Sequence, residues 1–370
     1  MKIENCFFLQ ELLPNDQLWK TPHSSYHWDG SSQRFFEGWY YRVTLPQLGQ
    51  SFAFMYSIDD PIGEKYYSGG AAQVLGENNN YLYRIFPDVK RFWASQKELA
   101  LCHWKQDILT QKPQILDPII FEATVTEGYQ ATATLNQGYI EDPMTKNYCR
   151  WYYDIKPIDG WGNRFSPQEA TAGWLSFLPI FDPGWQVLMA HGWATGYIDW
   201  NGKKYEFNEV PAYSEKNWGH SFPSKWFWIN CNSFQEESEL SLTAAGGIRQ
   251  VFNWQESVGI IGLHYQGKFY EFTRENSQLS WQIKPWGSWI IEGRNTEFSI
   301  KIEGKTDDIG NYVRVPTAEG LKFLCRDTTQ GNLVIELYNN EGKLILKATS
   351  SLGGLEIGGS PWVQDWIYGK

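Results

Sequence analysis

Aromatic side chains set the terms for this 370-residue sequence. It carries 20 Trp, 21 Tyr and 21 Phe, spread through short runs that are cut apart by 34 Gly and 17 Pro. Broad rings and β-branched neighbours fit a pleated surface better than a helix, and Gly, Pro and Asn supply the turns that many short strands need. A mainly β protein is the expectation. Strand-like runs begin at Phe35 to Thr44 and Ser51 to Ile58, recur at Tyr81 to Phe86, Glu98 to Trp104, Phe121 to Glu127, Tyr129 to Asn136 and Trp151 to Pro157, and resume from Lys225 to Thr349. Ala131-Thr132-Ala133-Thr134-Leu135 alternates with a period of two, which gives one buried and one wetter face. Such a meander fits antiparallel barrels.

A chain this long exceeds one ordinary core, so two barrels in tandem are expected, residues 1–208 with a polar lead and residues 209–370. The segments Tyr197 to Phe207 and Leu263 to Phe272 read as hairpins, because Asn201-Gly202 and Gln266-Gly267 supply the positive φ of a tight turn. One helix is predicted: Ser166 as N-cap, Pro167 at the first position and Glu169 at the third form a capping box ahead of Ala170 to Leu178, stopped by Pro179.

The formal net charge is −10 and no Lys/Arg-rich run interrupts it, so nucleic acid is not an expected partner. Five cysteines, Cys6, Cys102, Cys149, Cys231 and Cys325, lie far apart without zinc spacing, and read as reduced and intracellular. No metal site is expected, and the Gly pairs carry no phosphate-loop pattern. The N-terminus reads as neither signal nor transit peptide. No stretch approaches the roughly 20 apolar residues of a spanning helix. Membrane contact is expected to be peripheral.

Three blocks resemble the tocopherol cyclase family. They are TPHSSYHWDGSSQRFFEGWYYR at 21–42, continuing through Ser51 to Ile58; WQVLMAHGWATG at 185–196; and AYSEKNWGHSFPSKWFWINC at 212–231. Their order and completeness extend the resemblance over roughly residues 20 to 365. The family implies closure of a methyl- or dimethyl-phytylbenzoquinol to δ- or γ-tocopherol in vitamin E biosynthesis, with no cofactor. It is distantly similar to carotenoid hydratases, which implies lipocalin-like barrels. A cyanobacterial type of source, and a cytoplasmic protein gathered at thylakoid or inner membranes, follow as expectations. The oligomeric state is left open.

Ring closure needs a proton on the prenyl alkene and a phenol oxygen to capture the tertiary cation. The donor must be Asp, Glu or His, kept protonated by its surroundings, and π faces should line the cation. The first candidate cluster is His27-Trp28-Asp29 with the strand Glu37 to Tyr41, in which Glu37, Trp39 and Tyr41 share one face. Its plain alternatives are a Glu37 ion pair with Arg34 or Arg42 and a turn at Asp29-Gly30. The second is Glu215, Trp218 and His220, a possible carboxylate–imidazole relay roofed by an indole, followed by Trp226 and Trp228. The hydratase likeness implies a role for Trp218, although Lys216 stands where a His is expected. His191 is a candidate binding residue, or else a satisfied core histidine. A barrel that sets its first strand beside its last would turn Glu37 and Glu215 toward one cavity near the junction. A prenyl-lipid carrier, a hydratase-type enzyme on the same fold and a carbohydrate-active protein are the rival readings.

Overall fold

The computed structural model describes residues 21–31, 33–106, 112–177, 182–251 and 254–369. Two curled antiparallel sheets account for most of them. The first holds β1 (Phe36–Leu45), β2 (Gln50–Asp59), β3 (Gly69–Leu75), β4 (Tyr81–Phe86), β5 (Phe92–Ala94), β6 (Ala100–Gln106), β7 (Val125–Thr132), β8 (Leu135–Glu141), β9 (Tyr148–Asp159), β10 (Gly184–Trp200) and β11 (Lys203–Gly219). Its order is 4-3-2-1-11-10-9-8-7-6-5, so the first strand lies beside the last. The second holds β12 (Lys225–Cys231), β13 (Ser241–Val251), β14 (Trp254–Tyr265), β15 (Lys268–Thr273), β16 (Gln278–Ile283), β17 (Ser288–Arg294), β18 (Phe298–Lys305), β19 (Asn311–Thr317), β20 (Gly320–Asn339), β21 (Leu344–Gly359) and β22 (Trp366–Tyr368). Its order is 15-14-13-12-21-20-18-17-16-22, with β19 on β20.

Period-two sequence makes these strands. In β9, Cys149, Trp151, Tyr153 and Ile155 are buried in the first core, while Arg150, Tyr152, Asp154 and Lys156 point the other way. Each large ring withdrawn from water contributes about 1.5–3 kcal/mol, so this face alone fixes the register. β18 repeats the pattern, with Ile300 and Ile302 in the second core. β1 is instead buried along almost its whole length, because Trp39, Tyr41 and Val43 enter the first core while Tyr40 and Arg42 face the second sheet. Arg42 stitches the sheets, donating to the carbonyls of Asn230 at 2.9 Å, Thr329 at 3.1 Å and Leu352 at 2.5 Å.

Both hairpins form as predicted, with φ of 53° and 86° at Asn201 and Gly202 and of 51° and 73° at Gln266 and Gly267. Three expectations change. Residue 208 lies inside β11, and the chain leaves the first sheet only between Gly219 and Lys225. The polar pair Asn208-Glu209 is a bulge in that strand: Glu209 has φ 49°, and its N–H bonds the Thr195 hydroxyl at 3.0 Å.

The helix predicted from Ser166 is not formed over its described residues. Glu169 N–H bonds the Trp161 carbonyl at 2.7 Å, Thr171 N–H bonds the Gln186 side chain at 3.1 Å, and a 3₁₀ turn, Gly173–Phe177, follows. Leu178 and Pro179 lie outside the described residues, as do Cys6 and the polar lead. Among the described residues the α-helix that does form, α1 (Pro118–Thr124), occupies part of the run read as a strand from Phe121. Asp117 caps it by accepting from Ile119 N–H at 2.9 Å, and Pro118 takes the first position.

Candidate active site

Between the two sheets lies a cavity of about 940 Å³, near the upper end of the roughly 300–1,000 Å³ usual for small-molecule sites. Its wall is largely aromatic and aliphatic, with Tyr40, Met55, Trp185, Trp226 and Trp228 among the lining residues, and Glu215 and Glu356 are among the charged residues that interrupt it.

Strand pairing places these acids. Tyr40 of β1 is the cross-strand partner of Glu215 of β11, so both side chains leave the same face. The Glu215 carboxylate oxygen Oε2 accepts the Tyr213 hydroxyl at 2.6 Å and the Trp228 indole N–H at 3.0 Å. Burial pushes its carboxyl up to about 7, while Tyr213, Trp185 and Trp228 hold it down by donating. A fraction of this group is therefore a neutral acid at neutral pH. Glu356 of β21, partner of Trp228, accepts the Trp226 indole N–H. Burial and then the neighbouring Asp327 push it up, and burial also raises Asp327 against the pull of Arg42. The Tyr40 hydroxyl is buried without a hydrogen-bond partner among the described residues.

A second polar group lines another part of the cavity. The rings of His27 and Trp218 stack at 4.0 Å and 2°, with His23 4.8 Å from the same indole. Lys216 Nζ lies 3.2 Å from His27 Nδ1, His27 Nε2 lies 3.1 Å from His23 Nδ1, and His23 Nε2 lies 2.9 Å from the Ser176 hydroxyl. With His27 Nδ1 accepting from Lys216, these bonds run one way, from the ammonium outward, and the longer 3.4 Å contact of that nitrogen with Glu37 carries no hydrogen bond. Burial, His27 and Lys216 lower His23 to about 4, and burial lowers His27, so both imidazoles are neutral at pH 7. Glu37 pairs with Lys216 and accepts the His27 backbone N–H at 2.8 Å. Burial works to raise the Glu37 carboxyl, but Lys216 and His27 outweigh it and leave it lowered.

Of the residues singled out from sequence, Glu215, Trp218, Trp39, Trp226 and Trp228 line the cavity. Glu37 does not; it leaves the opposite face of β1 from Tyr40, and its ion pair is with Lys216 rather than either arginine. Asp29 is an exposed turn residue accepting Ser31 N–H at 2.8 Å, and Trp28 donates to the Ser31 carbonyl at 3.2 Å. His220 is exposed and faces Asp182 at 3.2 Å, so no relay with Glu215 forms. Tyr41 is in the first core, its hydroxyl on the Thr132 carbonyl at 3.2 Å. His191 is a buried histidine edge-on to Trp193 at 4.7 Å, lowered to about 4 by burial.

Sequence reasoning passed over Tyr40, Glu356 and Asp327 as site residues. Leu355-Glu356-Ile357 and Arg326-Asp327-Thr328 carry no signal of their own, since a lone acid in a strand reads as solvent-facing until a second sheet covers it. His23 and His27 lie four residues apart in a segment where Pro22 argues against a helix that would bring them together. A turn at Pro22-His23, with φ 59° at His23, brings them together instead.

The fold and site define a β protein with a large, mainly apolar cavity walled by indole faces and buried carboxyls. The chain belongs to the tocopherol cyclase-like family, whose description matches residues 33–359. The rice (Oryza sativa subsp. japonica) protein named "Probable tocopherol cyclase, chloroplastic" is 41% identical over 383 residues, 95% of this chain and 81% of the relative. The Zea mays protein named "Tocopherol cyclase, chloroplastic" is 41% identical over 382 residues, with the same shares. A solved Nitrosomonas europaea structure described as AttH aligns at a TM-score of 0.47 and 12% identity, covering 92% of this chain and 98% of that one.

Proposed function

We propose that the chain is a tocopherol cyclase, an enzyme that closes the chromanol ring of a phytyl benzoquinol by moving protons alone. A carboxylic acid gives its proton to the less substituted alkene carbon, cation character develops on the tertiary carbon, and the phenol oxygen adds there while its own proton departs. No electron is exchanged and the product is an isomer of the substrate, so the reaction itself calls for no redox cofactor or metal.

The observation that carries this reading is Glu215: a buried carboxyl raised to about 7 on the wall of an apolar cavity, beside Trp185 and Trp228. A π face contributes about 0.5–2 kcal/mol to a cation it meets away from water. Of Asp29, Glu37, Glu215 and His220, only Glu215 lines the cavity, and we assign it to proton handling. Trp39, Trp218, Trp226 and Trp228 are assigned to the cavity wall around tail and cation.

We further read the two sheets as two lipocalin-like units parting between Gly219 and Lys225, with the site at their junction. The protein works at the surface of the membrane that holds its lipid substrate, thylakoid or inner membrane in a cyanobacterial setting. Among the described residues no helix is long and apolar enough to cross a membrane.

Incubation with dimethyl-phytylbenzoquinol in D₂O tests the reading. The chromanol should carry one deuterium on the carbon next to the new ether carbon, and Glu215→Gln should lower turnover by about 10² or more while a quinol analogue still binds. Binding of the quinol by the wild-type protein without any chromanol would make it a lipid carrier instead.

A further inference from the structure

Glu356 and Tyr40 have no part in the reaction as written, yet both line the cavity with Glu215. Two rows of cross-strand neighbours bring the three together. On the first sheet the row is Met55, Tyr40, Glu215 and Val187. On the second it is Ala245, Trp228, Glu356 and Asp327. Trp228 joins the rows, its indole N–H on Glu215 at 3.0 Å and its ring edge-on to Tyr40 at 5.3 Å.

The two carboxyls have different company. Glu215 meets three donors, from Tyr213, Trp185 and Trp228, and donors stabilise a carboxylate. Glu356 meets the Trp226 indole and the Cys325 thiol, a weak donor, and it also faces the carboxyls of Asp327 and Glu215, whose charge favours its neutral form. Arg42 acts on Asp327, and Asp327 and Glu215 both face Tyr40. The buried Tyr40 hydroxyl, which feels the charge of Asp327, Glu215 and Glu356, keeps its donor and acceptor capacity unused among the described residues.

Resting on the cyclase reading above, we propose that Glu356 delivers the proton to the prenyl alkene, that Glu215 takes the proton of the attacking phenol, and that the Tyr40 hydroxyl returns it. The Glu356 O–H bond breaks as the alkene π pair forms the new C–H bond. A phenol oxygen lone pair then forms the C–O bond to the tertiary carbon, and the phenol O–H proton passes to the Glu215 carboxylate. Glu215 next protonates the Tyr40 oxygen as Tyr40 gives its own proton to the Glu356 carboxylate. Every group ends as it began.

Two quinol analogues separate the roles. One carries an electron-withdrawing ring substituent that makes the phenol more acidic; the other carries an alkoxy group on the tail alkene, which makes that alkene basic enough for hydronium or a buffer acid to protonate. On the parent quinol, Glu356→Gln and Glu215→Gln should each lose about 10² or more in kcat. The alkoxy alkene should recover Glu356→Gln and not Glu215→Gln, and the acidic phenol the reverse. The division of roles is overturned if Glu356→Gln stays within about threefold of wild type on the parent quinol, or if the analogues recover the two variants alike. A wild-type protein that fails to cyclise the parent quinol would sink the cyclase reading instead.

Should Glu356→Gln not fold, Trp226→Phe takes its place. Loss of the indole donor favours the neutral acid, so the alkaline limb of kcat should move to higher pH, and an unmoved limb overturns the assignment. Tyr40→Phe should leave the first turnover intact and slow the later ones; slowing of both by the same factor removes Tyr40 from the circuit.

Discussion

Lys216 and Glu37 form an ion pair in which both side chains are closed to solvent. They sit diagonally across the β1–β11 ladder, Trp39 opposite Lys216 and Trp218 opposite Glu37. Lys216 also donates to the Ser25 carbonyl at 2.7 Å, so one ammonium fastens the segment carrying His23 and His27 over the sheet. Removing one partner of a buried pair strands the other charge, at a cost of about 3–5 kcal/mol. Lys216→Met and Glu37→Gln should each lose that much in denaturant unfolding, and the double variant less than the sum. Losses below about 1 kcal/mol in both single variants would mean that the pair is not ionised in the folded protein.

Stability should fall as pH rises from about 6.5 to 8. The folded Glu215 carboxyl titrates at about 7 against an ordinary 4.5, so between those values the folded state holds a proton that the unfolded state has released, and rising pH favours unfolding. Asp327 and Glu356 act in the same sense. Histidines oppose them at lower pH: His23, His103 and His191 are lowered to about 4 from 6.5, mainly by burial, and their contribution grows until pH 6.5 and is then constant. From 6.5 to about 8 the raised carboxyls set the downward slope. Unfolding free energy measured across this window should decline, and Glu215→Gln should flatten the decline. An equally steep decline in the variant would show that Glu215 is already ionised in the folded state.

What the sequence reveals depends on which forces are local. The hairpin turns at Asn201-Gly202 and Gln266-Gly267 are legible because positive φ is a property of the dipeptide, and the inward rings of β9 because alternation is. The Ser166 capping box has equally good local credentials. It loses because Gln186 of β10 and Trp161 offer the same backbone groups better partners once the sheet exists. The polar Asn208-Glu209 pair mimics a linker because a bulge and a loop use the same residues. For the site, Glu215 stands out through its aromatic neighbours in sequence, whereas Glu356 and Asp327 become buried acids only when the other sheet closes over them.

Trp218 is the roof of the histidine pair, and its replacements should rank by the π face they keep. His27 lies flat against the indole at 4.0 Å, and burial is the main cause of its lowered basicity. Trp218→Phe retains a smaller face, and Trp218→Ala opens the ring to water. Turnover should fall further in the Ala variant than in the Phe variant, by about tenfold or less between them, as one cation–π contact is worth. The His27 titration, followed by NMR, should move up toward its ordinary value in Trp218→Ala. Equal losses in the two variants, with an unmoved His27 titration, would count against both roles.

Trp174 and Phe177 should carry the contact with lipid. Both line the cavity on the Gly173–Phe177 turn, yet they are 71% and 61% exposed, and exposed rings at a cavity mouth suit an enzyme that draws its substrate from a bilayer. Withdrawing one large ring from water contributes about 1.5–3 kcal/mol, so Trp174→Ser should weaken vesicle binding by about tenfold or more, and the double variant with Phe177→Ser further. Phe177 also stacks on His23 at 4.5 Å, so Trp174→Ser is the cleaner probe of docking. Its turnover should drop on quinol in vesicles and stay near wild type on quinol in detergent micelles. Anionic lipid should not strengthen binding, given a net charge of −10. If wild-type protein stays in the aqueous fraction on flotation with prenylquinol vesicles, or if Trp174→Ser floats as well as wild type, this turn is not the docking element.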